Sequence, residues 1–337
     1  MIHKIIIIIL SLLISSCGKK VNDEQESAIK RNFNSFVFVG MIDRKPGLYK
    51  YNVFKNSFSE YWKSTEEAVV ELSYSDSHIS AFYLTATKEG KEGIFPFIKN
   101  ARLYVIPDSS SNPLFVKEIG GGIQVFSRWE SEHVFRIVLN SWDKKVSTYI
   151  NQKTIIFNTF GRILQEETQT YDITRDGYPR LPKIKPDSLS PSGKYQIIYK
   201  KGKTDSVFLK QRKNNNYIFV TNISKPLNEN SWSDDRNLIF LSTLDLTLLN
   251  QSILSREPVT SSLYAYSVPD RELVKQWTGS GYKNFFTVNN FLIFDDGFGS
   301  NSSIYIYNFK TNKIIKKIRI KGGCGLRGIP DIPKFGT

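Results

Sequence analysis

Cysteine and histidine are close to absent from this chain, with two Cys and three His in 337 residues. Two thiols cannot make a disulfide framework, and so few imidazoles and thiolates leave little from which to build a metal site. No paired-histidine spacing occurs, which removes support for zinc-dependent hydrolysis. A Gly-x-Ser-x-Gly elbow is missing too: Gly279-Ser280-Gly281 lacks the flanking pattern, and no histidine follows it to act as a base. Gly120-Gly121-Gly122 is followed by neither Lys-Ser/Thr nor a helical pattern, so it reads as a connector, not a phosphate loop. No window of 11–18 residues carries a helical apolar stripe; the best candidate, Glu66–Leu72, is too short. Acid is also scarce relative to base, 32 Asp+Glu against 46 Lys+Arg, a net charge of +14.

What is present argues for a folded, strand-rich body. Hydrophobic residues make up 40% and charged residues 23%, a balance unlike a disordered chain or a multi-span membrane protein. Aromatics reach 13%, a weighting that suits pleated strands.

The N-terminus is set apart from that body. Met1–Lys4 carries one Lys, Ile5–Ile14 is apolar over ten residues, and Ser15 and Ser16 follow. This is the layout of a secretory signal, and its apolar run is half of the roughly 20 residues that span a bilayer. Ile14-Ser15-Ser16-Cys17 resembles the lipobox of bacterial lipoproteins, an apolar residue and two small ones before a cysteine that is lipidated. The resemblance implies removal of 1–16 and acylation of Cys17, with each buried methylene contributing about 0.8 kcal/mol to anchoring. Loss of Lys4 with that leader takes the net charge from +14 to +13. Residues 18–34 show no apolar periodicity and are expected to be a flexible tether, leaving 35–337 as the folded domain. Cys324 is then the only thiol of the body, and its glycine neighbours suggest a turn.

From Ser35 onward, short β-branched and aromatic runs alternate with Gly/Asn/Asp/Ser clusters, as in Ser35–Val39, Arg102–Ile106, Val134–Leu139, Gln196–Lys200 and Ser303–Tyr307. The fold class expected is all-β. Leu189-Ser190-Pro191-Ser192-Gly193-Lys194-Tyr195 before QIIY aligns with Ser231–Asn237 before LIFL. Weaker copies lie at Ser73–Ser77 and Arg128–Glu132. The anchors Tyr74, Trp129, Pro191 and Trp232 are spaced by 55, 62 and 41 residues. A second element, aromatic and apolar in alternation, recurs as Leu48–Tyr51, Leu103–Ile106, Leu263–Tyr266 and Ile304–Tyr307, each followed by a polar turn and a return strand.

Ser190-Pro191-Ser192-Gly193-Lys194-Tyr195 resembles the turn of TolB-like, WD40-like β-propeller blades, and the Leu-Tyr-x-Tyr strand is similar to a later strand of the same unit. The resemblance implies a β-propeller of six to seven four-stranded blades over the body; tandem β-sandwiches are the alternative.

Few residues offer chemistry. His78 and His133 fall at matching places around a blade's first strand, which favours packing over ligation. Asp295 and Asp296, in Asp295–Asn301, make a weak calcium candidate without the spacing of an EF-hand loop. Lys313, Lys317, Arg319 and Lys321 are candidate polyanion-binding residues, because the Lys317–Lys321 alternation puts three cations on one strand face. A second basic group comprises Lys200, Lys201, Lys203, Lys210, Arg212 and Lys213. The residues call for no cofactor and no catalytic group. The expected function is a membrane-anchored, non-enzymatic binding or scaffold lipoprotein of the cell envelope. Its partners would be the membrane, through its lipid, and an envelope protein or polyanion, with no role for nucleic acid after export. The alternative is a lyase or carbohydrate-active propeller enzyme with its site in the central funnel.

Overall fold

In the computed structural model the described residues are 35–42, 45–53, 55–75, 80–92, 95–107, 111–177, 179, 189–243, 260–280, 283–297 and 301–327. They form antiparallel sheets and, among them, no helix. Blade one holds β1 (Ser35–Ile42), β2 (Lys45–Asn52) and β3 (Ser57–Lys63), and blade two β4 (Ala68–Tyr74), β5 (Ala81–Glu92), β6 (Phe95–Ile106) and β7 (Leu114–Gly122). In blade three are β8 (Gln124–Ser131), β9 (Val134–Trp142), β10 (Tyr149–Asn158) and β11 (Ile163–Asp172), and in blade four β12 (Tyr195–Lys200), β13 (Asp205–Gln211) and β14 (Tyr217–Ile223). Blade five has β15 (Leu227–Ser233), β16 (Asn237–Thr243), β17 (Thr260–Ser267) and β18 (Glu272–Ser280). Blade six has β19 (Phe285–Val288), β20 (Phe291–Asp295), β21 (Ser303–Asn308) and β22 (Lys313–Arg319).

The last strand, β23 (Cys324–Gly325), returns to blade one, where Gly325 pairs with Val39 and Cys324 with Gly40. Gly322 and Gly323, at φ 101° and 104°, make the turn that sends it there, a conformation side chains resist. Cys324 therefore lies on the closing strand, and the turn expected around it is two residues earlier. The return of the last strand to the first sheet closes a ring of six blades. This fixes the count at the lower end of the expected range and rules out tandem sandwiches, whose sheets would not close on one another.

Strand alternation explains how one sheet serves two neighbours. Along β1, Val37 and Val39 join the core shared with blades two and three, while Phe36 and Phe38 join the core shared with blade six. Blades four and five share a core around Val207, Leu209, Leu238 and Phe240, and blades five and six one around Ile239, Leu263, Leu292 and Phe294. Aromatic pairs stitch blades together, with Phe82 stacked on Phe135 at 4.2 Å and Trp277 tilted against Phe294 at 4.7 Å.

The repeat read from the sequence is visible at two turns. In blade one the Tyr51 hydroxyl donates to Asn56 Oδ1 at 2.8 Å, and Tyr307 donates in the same way to Asn312 in blade six. Both asparagines adopt positive φ, 50° and 52°, a conformation Asn tolerates better than most residues. The first-turn alignment needs one correction. Leu189, not Pro191, bridges Gln196 and so occupies the place that Trp232 takes opposite Leu238. Tyr74, Trp129 and Trp232 do lie near the ends of first strands, opposite Ala81, Phe135 and Leu238. Both tryptophans are half-buried with their indole N–H enclosed. Glu66–Leu72, the nearest approach to a helix in the sequence, is largely β4.

Candidate functional site

β22 is the outermost strand of blade six. Its burial alternates as the sequence requires: Lys317, Arg319 and the following Lys321 are exposed, while Ile318 and Ile320 are 5% and 6% exposed and reach the core. Lys313 is exposed at the strand's start. A bulge between Lys316, opposite Ile306, and Ile314, opposite Tyr307, turns Ile314 and Ile315 outward as well. The surface is thus a cationic row beside two exposed isoleucines. Lys317 Nζ lies 5.2 Å from the centroid of the Tyr305 ring, whose hydroxyl donates to Asp296 Oδ2 at 3.0 Å. Arg319 Nη2 donates to Asn301 Oδ1 at 3.3 Å. Among the described residues, none of Lys313, Lys316, Lys317, Arg319 and Lys321 is in an ion pair.

The second basic group does not form one surface. Lys200 to Lys203 lie at one end of the β12–β13 hairpin and Lys210 to Lys213 at the other, as the pairs Lys200–Ser206 and Tyr195–Gln211 require. Lys200 itself covers the rings of Phe208 and Tyr217, 4.9 Å from each centroid.

Asp295 is fully buried, and backbone donors fill its carboxylate. Oδ1 accepts from Asn284 N and Gly297 N, both at 2.9 Å, Oδ2 accepts from Leu326 N at 2.7 Å, and the Asn284 amide group adds a contact at 3.1 Å. Burial pushes its pKa up, and the backbone donors of Leu326, Asn284 and Gly297 pull it back. This carboxylate ties β20 to the segment just after β23, across the closing seam. Among the described residues, no three of His, Cys, Asp and Glu gather as a metal set would. His133 is exposed in the β8–β9 turn, not packed, and His78 lies outside the described residues, as does Cys17. The Cys324 thiol is buried, pushed up to about 12 by desolvation, and hydrogen-bonded around Ser302. It is inert by that environment.

A charged cluster that the sequence reading did not single out lies on the ring axis. Arg327, just past the closing strand, sits with Nε 3.5 Å from Glu71 Oε1 and Nη1 3.9 Å from Glu229 Oε1. Glu71 is on the first strand of blade two and Glu229 on that of blade five, opposite one another across the ring. Ser127, from the first strand of blade three, donates to Glu71 Oε1 at 2.8 Å. Burial raises the Glu71 pKa, Arg327 and the Ser127 hydroxyl lower it, and Glu229 raises it further. Each glutamate directly follows a bulge, between Val69 and Glu71 and between Leu227 and Glu229, and each stands three residues before its anchor, Tyr74 or Trp232. That shared Glu-x-x-aromatic spacing is the signal that could have found them.

No protein-family model matches the chain, and no curated protein does. Among solved structures it is similar to a protein of the nidogen/laminin complex at 6% identity, covering 86% of this chain and 96% of that one, with a TM-score of 0.42. TolB from Acinetobacter baumannii is 9% identical over 88% of this chain and 66% of its own, with a TM-score of 0.41. A putative 6-phosphogluconolactonase from Bacteroides fragilis is 9% identical over 87% and 97%, also with a TM-score of 0.41. The strand pairing and the ring closure described above carry the fold.

Proposed function

We propose that this protein is a membrane-anchored cell-envelope lipoprotein whose propeller is a non-enzymatic binding scaffold, docking a polyanionic envelope partner on the β22 rim. The observation that carries this reading is the row Lys317, Arg319 and Lys321, exposed in register over buried Ile318 and Ile320 and outside any ion pair with the described carboxylates. Exposed cations held in a row on a rigid sheet attract anionic headgroups or acidic polysaccharide, and such attraction is screened beyond about 8 Å at physiological ionic strength. Acylation at Cys17 would hold that rim near a membrane, where even a weak electrostatic attraction is multiplied by proximity.

The test has two arms. Sedimentation with anionic vesicles and with an acidic polysaccharide should show binding that weakens with salt. The variant K317E/R319E/K321E should lose it while keeping its melting temperature. Binding unchanged in that variant would sink the rim reading. For the anchor, Cys17→Ala should abolish incorporation of labelled palmitate; label equal to the wild type would end the lipoprotein reading.

The enzyme alternative has one observation in its favour, the axial Glu71 with its raised pKa beside Arg327. Glycan turnover lost in Glu71→Gln, with β22 irrelevant to it, would move the protein into that class.

A further inference from the structure

Outermost strands present unpaired backbone N–H and C=O groups, and proteins usually guard them with lysines, prolines or bulges. Here β3, β7, β18 and β22 each carry at least one Lys together with a register shift against their partner strand, and β14, which has no Lys, Arg or Pro, is shifted against β13 at mid-strand. β11 differs. It reads Ile163-Leu164-Gln165-Glu166-Glu167-Thr168-Gln169-Thr170-Tyr171-Asp172, with no Lys, Arg or Pro. Its first eight residues are exposed on both faces, and its register with β10 runs unshifted from Tyr149–Asp172 to Ile156–Gln165, its one shift lying at the strand's start between Ile156 and Phe157. At ten residues it is the longest outer strand described. Its side chains are already held in extended positions. Glu166 meets Lys153 at 2.7 Å, Thr170 donates to Asn151 Oδ1 at 2.7 Å, and Tyr171 donates to Gln169 Oε1 at 2.7 Å.

We infer that β11 is the docking edge for a second copy of this chain, joined strand to strand about a two-fold axis through Thr168. In an antiparallel pair related by a two-fold axis, a residue must oppose its own copy, so the register is defined by the residue at the centre. A centre at Glu166 or Glu167 sets glutamate against glutamate, and a centre at Gln169 sets Glu166 against Asp172. Thr168 avoids both. It opposes Thr168, while Glu167 meets the amide donor of Gln169, Gln165 meets Tyr171 and Glu166 meets the uncharged Thr170, so no acid opposes an acid on either face. The strand is self-complementary in that register, and pairing joins two blades into one continuous sheet.

Sedimentation velocity on the full-length chain in mild detergent, across a concentration series, tests this in both directions. The wild type should reach the mass of two chains. Thr168→Glu, which sets acid against acid at the axis, should weaken the dimer at least tenfold. Gln169→Lys, which gives Glu167 a cationic partner, should tighten it several-fold, an effect that mere damage to the sheet cannot produce. In the full-length chain carrying Cys17→Ser, Thr168→Cys should cross-link to itself on mild oxidation, because opposed Cα atoms at about 4.5–5.5 Å suit a disulfide. Asn222→Cys, on the β14 edge, should not. A wild type that stays a single chain overturns the proposal, as does a mass unmoved by both charge variants. Cross-linking through Asn222 in place of Thr168 overturns it too, since the contact would then lie on β14.

Discussion

The axis and the rim of this propeller treat charge in opposite ways. On the axis and at the closing seam, Glu71, Glu229, Arg327 and Asp295 are buried or half-buried, and each carboxylate is met by a guanidinium, a hydroxyl or backbone N–H groups. On the β22 rim, Lys317, Arg319 and Lys321 are exposed, contacting only a ring or an amide oxygen where they contact anything described. Desolvated charge is costly unless met, so the axial set reads as geometry: it fixes where the first strands of opposite blades and the closing segment stand. Solvated charge costs little and stabilises little, which leaves the rim free to serve a partner.

That contrast can be broken most forcefully at the closing seam. Asp295→Ala strands three buried backbone N–H groups and should cost about 3–5 kcal/mol, read by chemical denaturation. A loss under about 1 kcal/mol would mean that the carboxylate is not the tie across the seam. Arg327→Ala should come next. It removes the cation that meets Glu71 among the described residues, but with the two side chains 30% and 14% exposed, the effect is discounted to about 1–3 kcal/mol.

A pH profile sharpens the comparison further. Burial holds Glu71 above its usual 4.5, so the native state binds this proton more readily than the unfolded chain does. Its contribution is therefore complete below the usual value and is lost as pH rises through the raised one. Glu71→Gln mimics the protonated form, so its stability relative to wild type should improve on going from acid toward neutral pH. A difference that does not vary with pH would contradict the assignment. The rim sits at the small end of the scale. The K317E/R319E/K321E variant should shift stability by less than about 0.5 kcal/mol, and a larger change would show those cations to be structural after all.

How much of this was legible in the sequence follows from how far apart the contributing residues lie. The hairpin unit is local, so Tyr51 with Asn56 and Tyr307 with Asn312 announce it within a few positions. The alternation of Lys317, Arg319 and Lys321 over isoleucines is equally local and places those cations outward. Turns are harder. An alignment on Pro191 is two positions off, because the residue that bridges Gln196 is Leu189, seven positions before it, whereas Trp232 stands six before Leu238. Lys200–Lys213 looked like one patch because a hairpin brings sequence neighbours to opposite ends of a strand pair. The axis was invisible for the opposite reason. Glu71, Glu229 and Arg327 come from three places in the chain, and only ring closure brings both glutamates within 4 Å of Arg327.

The closing strand also imposes an order of events. Val39 and Gly325, paired in blade one, are 286 positions apart in the chain. Until Cys324 and Gly325 have been made, β1 has no partner on its axial side, and neither the Asp295–Leu326 bond nor the Arg327 contacts can form. Blade one must therefore wait, half-built, while the other five accumulate behind it. Contacts of such long sequence separation form late and slowly. Stopping synthesis a few residues before Cys324 would leave five blades and three strands of the first, without the strand that ties the last blade to it.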